Sequence, residues 1–337
     1  MNVLSLFNGM SFCSMALESL GVNVNKMYSS EIDKYANQAT QALFPDTIQL
    51  GDITQWREWD IDWASIDLVT GGFPCQAWSM AGKQLGDKDE RGMLFWTMLD
   101  IMKHVRYHNP KADFLIENVK MKKEFEQYIT THTENALGYV HKTLINSALV
   151  SAQNRNRYYW TSFAVEQPED KGVVLKDVIE SIVDDKYLLS EKLLAGFSAK
   201  KERRSHLNSG FDSLNIRCHN NKSSTLTARY YKTSMSDPYI LQRARGFNGG
   251  GVKAINGKTP TLSSCSWEHN NYALLAGTVR KLTPRECFRL QTVPEHHIDT
   301  LLSAGISNTQ LYKMCGNGWT MEVIKHIFKA LESTSAE

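Results

Sequence analysis

Three short stretches carry side chains that could act together on one substrate. Cys75 stands in GGFPCQAWSMAGK (71–83), directly after the apolar run 66–69. An unperturbed thiol, with a pKa of about 8.5, is only a few per cent thiolate at neutral pH. Most cysteines are buried and inert, so the surroundings must argue for more. Pro74 stiffens the approach, Gly71 and Gly72 permit close contact by a ligand, and Gln76, Ser79 and Lys83 continue the loop with polar groups. Glu117, in FLIENV, ends a later apolar run. A carboxyl group beside an aromatic ring nitrogen shares or donates a proton while a thiolate adds to the ring, so nucleophile plus acid is the required pair. The third stretch is SAQNRNRYYW, where Gln153, Arg155 and Arg157 share one strand face and Asn154 and Asn156 the other. A solvent face is the commoner meaning of three such polar residues. Flanked by Tyr158, Tyr159 and Trp160, they read instead as a paired-arginine clamp on an anion or a carbonyl oxygen.

A second constellation suits a nucleoside. LFNGMS (6–11) has a single glycine, Gly9, with Ser11 and Phe12 where a GxGxxG fingerprint needs more. A dinucleotide-dependent oxidoreductase is therefore disfavoured. Glu31 follows about twenty residues later, where a carboxylate can accept both hydroxyls of a ribose, and Asp52 could take an adenine amino group. Taken singly, helix capping is the likelier role for each acid. Together they describe an adenosine-sized pocket without a phosphate-binding turn, which favours S-adenosylmethionine over NAD.

The elements that must position these groups alternate. Strands are expected at 3–7, 22–28, 48–50, 66–69 and 114–116, and helices from the turn at Asn8 and Gly9 to about 20, at 32–42 and at 93–105. That alternation predicts a parallel, doubly wound α/β sheet with ligands at the carboxyl ends of its strands. It decays after about Phe163 into polar, basic, Gly- and Asn-rich text with Thr-Leu pairs at Thr225 and Thr261, and helical periodicity returns from about Leu282 to Leu331. A large α/β domain interrupted by a smaller insert is the expected organisation.

The 337 residues, 42% of them hydrophobic, allow one large core and a second small one. The start lacks a signal peptide's pattern, and no run approaches the ~18 consecutive apolar residues of a membrane span, so a soluble cytoplasmic protein is expected. Six cysteines, at 13, 75, 218, 265, 287 and 315, form no CxxC pair, which argues against zinc and against disulfides. The net charge of +2 is unevenly divided: residues 200–258 hold twelve Lys and Arg against three Asp and Glu, +9, so the rest carries −7. A solvated loop could hold such a run. Tyr230, Tyr231, Tyr239 and Phe247 among the cations suit phosphate and base contacts instead.

In order, LFNG, SSEID, GDIT, GGFPCQAWS, DERGMLF, ENV, QNRNR, RKLTPRECFRLQTVPE and GNGWTMEV resemble the cytosine-5 DNA methyltransferases over nearly the whole chain, in the style of solitary phage and bacterial enzymes. The resemblance implies a Rossmann-like S-adenosylmethionine-binding catalytic domain over 1–165 plus 274–337, and a smaller, irregular, mostly β target-recognition domain over 166–273. It implies that Cys75 adds to carbon 6 of a cytosine flipped out of duplex DNA. Glu117 would engage ring nitrogen 3 and the amino group, Arg157 would hold the ring carbonyl oxygen with Arg155 nearby, and Asn118 would fix the Glu117 turn. For the cofactor it implies Phe7 on the adenine, Glu31 on the ribose, Asp52 and Ile53 flanking the adenine, and Leu94, Asn317 and Gly318 along the wall and methionine end. Asn8, Gly9, Ser11, Ile32 and Pro74 complete that set. Gln76, Ser79, Lys83, Asn118 and Gln153 fall on the substrate side, with Arg229, Lys232, Arg243 and Arg245 of the basic insert as DNA contacts. The implied partner is double-stranded DNA, bound by a monomer without metal in a bacterial or phage-infected cell. Departures are Ser11 and Phe12 in a turn usually richer in glycine, and Trp78 where phenylalanine is common. The rivals are the tRNA-acting branch of the family, which does not need a long reading insert, and a DNA-binding protein of this fold that has lost catalysis.

Overall fold

The computed structural model describes residues 1–74, 90–188, 223–224, 273–275 and 278–334. Its main sheet is built from β1 (Asn2–Leu6), β2 (Lys26–Ser30), β3 (Ile48–Gln49), β4 (Leu68–Gly71), β5 (Asp113–Val119), β6 (His141–Asn146) and β8 (Asn156–Thr161), while the two-residue β7 (Gln153–Asn154) before the last pairs with Ser223 and Ser224 outside this sheet. The strand order is β3-β2-β1-β4-β5-β8-β6. From β3 to β5 every pairing is parallel, as expected. The order reverses between β1 and β4, the switch point where ligands bind in such sheets.

β8 departs from the parallel expectation, running antiparallel to both β5 and β6. The cause is chain length: residues 147–155 are too few for a crossover helix, so the chain returns as β8 directly along β6. β6 itself escaped the sequence reading because only Ile145 of HKTLIN is fully buried, as befits an edge strand. β2 starts later than expected because β1 begins at Asn2, opposite Lys26, leaving Val22 and Val24 without a strand partner.

Alternating strand residues feed two cores. Val3, Leu115 and Tyr159 face α1 (Phe12–Ser19), α2 (Lys34–Leu43) and the C-terminal helices. Those helices are α5 (Pro284–Leu290), α6 (Glu295–Ser303), α7 (Asn308–Asn317) and α8 (Met321–Thr334). Leu4, Leu6, Phe114, Ile116 and Trp160 face α3 (Glu90–His108), α4 (Lys123–Leu137) and the short turn around Trp56. The result is a doubly wound α/β layer structure. α5 starts on a capping box, Thr283 with Glu286 and Pro284 at its first position, and α8 buries Val323, Ile324, Ile327, Phe328 and Leu331 along one stripe against α1. Over residues 162–188 the chain makes only short 3-10 turns, and Leu175 and Val178 there are buried in the first core.

Candidate active site

β4 ends at Gly71, and Gly72, Phe73 and Pro74 carry the chain away from the sheet beside β5. Gly71 is explained by packing, since a Cβ there would lie 2.7 Å from the Met98 sulfur, a protein neighbour instead of the expected ligand. Gly72 faces Glu117 and Trp319, whose Oε2 and Nε1 would lie 3.2 Å and 3.1 Å from an added Cβ. Asn118 is buried and donates from Nδ2 to the Phe73 carbonyl at 3.0 Å. It therefore ties the exit of β4 to β5, two residues before Cys75.

Glu117 projects from β5 at 8% exposure. In the antiparallel register Val119 opposes Arg157 and Glu117 opposes Tyr159, so the Glu117 and Arg157 side chains are diagonal neighbours on one face. Arg157 Nε lies 2.9 Å from Glu117 Oε1, and its Nη1 donates to the Asn156 carbonyl. The other carboxylate oxygen, Oε2, accepts from the Trp319 indole N–H at 3.1 Å. An acid with both oxygens held by donors from two different elements is oriented, and it stands at the carboxyl ends of β4 and β5.

Gln153 and Arg155 turn out to serve a different purpose from a substrate clamp. Gln153 is 0% exposed, and its Nε2 donates to Leu290 O and to Gln291 Oε1. Arg155 is also buried, reaching the Gly316 carbonyl with Nη1 and the Gly318 carbonyl with Nη2, the latter at 2.7 Å. Burial first, and the charge of Arg157 second, push its guanidinium down to about 9, so it stays charged at neutral pH. The expected single strand is broken at Arg155, with Gln153 in β7 and Arg157 in β8, and of the three only Arg157 reaches Glu117. The other two fasten the C-terminal segment to the sheet.

The turns after β1, β2 and β3 gather the nucleoside-type residues. Phe7, Gly9 and Ser11 all adopt left-handed backbone, with φ of 54°, 59° and 69°. For a bulky residue such as Phe7 that is a strained conformation, of the kind that concentrates at functional sites. Asn8 braces the turn through Ser11 and Thr40, while its Oδ1 is buried with no partner among the described residues. Glu31 accepts from Gly9 N at 2.9 Å with one oxygen and from Ile32 N and Asp33 N with the other. Three of about four acceptor positions on that carboxylate are thus taken by backbone, leaving room for about one ribose hydroxyl instead of two. Asp52 caps the turn at 53–58 with Oδ1, receiving both Thr54 donors. Ile53 is buried, Ile32 is 76% exposed beside Glu31, and Phe7 and Leu94 sit on the rim of the second core. Gly318 is obligatory: an added Cβ would fall 2.0 Å from the Phe12 ring. Asn317 before it is exposed at the end of α7, and Pro74 is half-buried.

The family model for C-5 cytosine-specific DNA methylases matches residues 1–333. The chain belongs to that family. The methylase is 35% identical to the type II methyltransferase M1.ScrFI of Lactococcus lactis subsp. cremoris, an alignment covering 90% of this chain and 71% of the relative. It is 27% identical to the orphan methyltransferase M.SPRI of Bacillus phage SPR, with 99% and 98% covered. Among solved structures, a mutant DNMT2 of Spodoptera frugiperda superposes with a TM-score of 0.63 at 20% identity, covering 98% of this chain and 99% of that one, a likeness of fold.

Cys75, Gln76, Ser79, Lys83, Arg229, Lys232, Arg243 and Arg245 of the methylase lie outside the described residues. The described cysteines, Cys13, Cys287 and Cys315, are buried. Burial pushes Cys13 up to about 12 and Cys315 well above the ordinary thiol range, so neither is a ready nucleophile. Glu18, His296 and His297 bring ligand-type atoms together on the surface, but His297 Nε2 and Glu18 Oε2 are 2.6 Å apart, a direct hydrogen bond with no space for an ion between them. Among the described residues no helix is long and apolar enough to cross a membrane. The site residue that sequence reasoning missed is Trp319. Its motif, GNGWT, was legible, but nothing in the spacing revealed that the indole reaches Glu117.

Proposed function

We propose that this methylase transfers a methyl group from S-adenosylmethionine to carbon 5 of cytosine in duplex DNA, with Cys75 as nucleophile and Glu117 as the group that engages the base. The observation that carries the reading is Glu117 itself: a nearly buried carboxylate, held by Arg157 at 2.9 Å, beside the Gly72–Pro74 exit of β4 that runs directly into Cys75. The Cys75 thiolate adds to carbon 6 of the ring while Glu117 holds the ring nitrogen 3 edge and Arg157 the carbonyl oxygen. Addition makes carbon 5 nucleophilic. After methylation carbon 5 loses its proton and the Cys75 sulfur leaves, restoring the aromatic ring.

The turns at 7–11, 31–33 and 50–54 fit the cofactor. Among the described residues a Cβ built on Gly9 or Gly51 meets nothing within 4 Å and Asn8 Oδ1 is buried without a partner, and exposed Ile32 offers an apolar face next to Glu31. S-adenosylmethionine held there by Glu31, Asp52 and the Phe7 ring supplies the methyl group. The basic insert, +9 over 200–258, is suited to neutralising phosphates and reading sequence, on a catalytic unit of 1–165 with 274–337.

Trapping on duplex DNA bearing 5-fluorocytosine tests the reading, because fluorine cannot leave carbon 5 as a proton does. Wild-type protein with cofactor should give a covalent adduct and Cys75→Ala none, while Glu117→Gln should slow methyl transfer by about 10²–10⁴-fold. An adduct on fluorocytosine RNA and none on DNA would replace DNA with RNA as substrate, and turnover by Cys75→Ala would remove the nucleophile assignment.

A further inference from the structure

We infer that Trp319 is a positioning residue for Glu117, a role that rests on the reading of Glu117 as the base-engaging acid. The indole N–H donates to Oε2 at 3.1 Å while Arg157 holds Oε1 at 2.9 Å. Two donors on two oxygens fix the plane of the carboxylate as well as its position. Arg157 alone, contacting one oxygen through Nε, would leave the group free to rotate about its terminal bond.

The surroundings keep Trp319 in place on both sides. The Gly318 carbonyl is bound by Arg155 at 2.7 Å, and the Thr320 hydroxyl lies 2.8 Å from that of Ser147 and 3.1 Å from Gln291 Oε1. Gln291 in turn donates to Cys315 O and accepts from Gln153. The indole is therefore delivered by a segment hydrogen-bonded, immediately before and after it, to the connection between β6 and β8 and to the end of α5. Gly72 opens the space for the contact, since any side chain there would press on both Nε1 and Oε2. Gln153 and Arg155, which never reach the acid, act on it through this segment.

The test compares Trp319→Phe, which keeps an aromatic ring and loses the donor, with Trp319→His, whose ring again presents an N–H at its far end. Single-turnover methyl transfer at saturating cofactor and DNA should fall about tenfold in Trp319→Phe and recover substantially in Trp319→His, as expected when a hydrogen bond to a charged group is removed and replaced. Cofactor affinity should stay within about twofold, because the lost interaction is not with the cofactor. A Trp319→Phe rate equal to wild type, or equal losses in both variants, would overturn the positioning role, the second outcome leaving only a packing role. The contact has its own readout in protein carrying ¹⁵N-labelled indoles. The resonance that disappears in Trp319→Phe should shift in Glu117→Gln, and an unmoved resonance also overturns the inference. Failure of wild-type protein to methylate DNA or RNA would instead strike the assignment of Glu117 itself.

Discussion

Two ends of the same sheet edge are built by different means. Around Gly9, Glu31 and Asp52 the hydrogen bonds that shape the site join residues at most 32 apart, save the long-range bond from Lys313 to Asp33, and much of the shape is backbone: three left-handed residues in five and a carboxylate bonded to three amides. Around Glu117 the groups come from far along the chain. Trp319 is 202 residues from Glu117, and Arg155 is 161 from Gly316. The first region is specified by local turn chemistry and the second by a side-chain network that exists only once the C-terminal segment has docked. Damage to the second should therefore cost more and spread further.

The strongest test of that contrast is Arg155→Met. It leaves the Gly316 and Gly318 carbonyls without their buried cationic donor and should destabilise the folded protein by about 3 kcal/mol in denaturant unfolding followed by circular dichroism. Methyl transfer should fall with it, since Trp319 follows directly on Gly318. Stability equal to wild type would mean that the C-terminal segment is held without the Arg155 bonds.

Gly318→Ala attacks the same segment from its other face. The new methyl would collide with Phe12, whose ring already fills the space, and should cost about 2 kcal/mol by overpacking. Phe12→Leu in the same chain should return part of that loss, which a double-mutant cycle would read as coupling. Additive costs would show that Phe12 yields without strain.

The contrast also explains what the sequence made readable. The strands around the switch point, Glu31 and Asp52 at strand ends and the family motifs were legible because short-range periodicity and turn chemistry specify them. The capping alternative was correct for Asp52, whereas α2 is capped by Asp33 and Glu31 instead binds the amides of Gly9, Ile32 and Asp33 ahead of that helix. Spacing alone gave Gln153, Arg155 and Arg157 one shared face. Their separate duties depend on partners at 290–291, 316–318 and 117, and on the reversal of β8 that sets Arg157 diagonal to Glu117. Trp319 was invisible for the same reason, because no periodicity connects residues 202 apart.

The smallest expected effect lies in the local region. Gly9 has φ of +59°, and a Cβ there meets nothing within 4 Å among the described residues, so Gly9→Ala carries a conformational cost with no collision against them. It should destabilise by about 1 kcal/mol, the penalty for holding an L-residue in left-handed backbone. Gly9→Asn should cost less, because asparagine tolerates that conformation. The ordering matters more than the size. If the turn is set by backbone conformation, alanine must be worse than asparagine although it is smaller. Asparagine worse than alanine would mean that the space above Gly9 is closed to side chains, and the two regions would then be specified by packing alike.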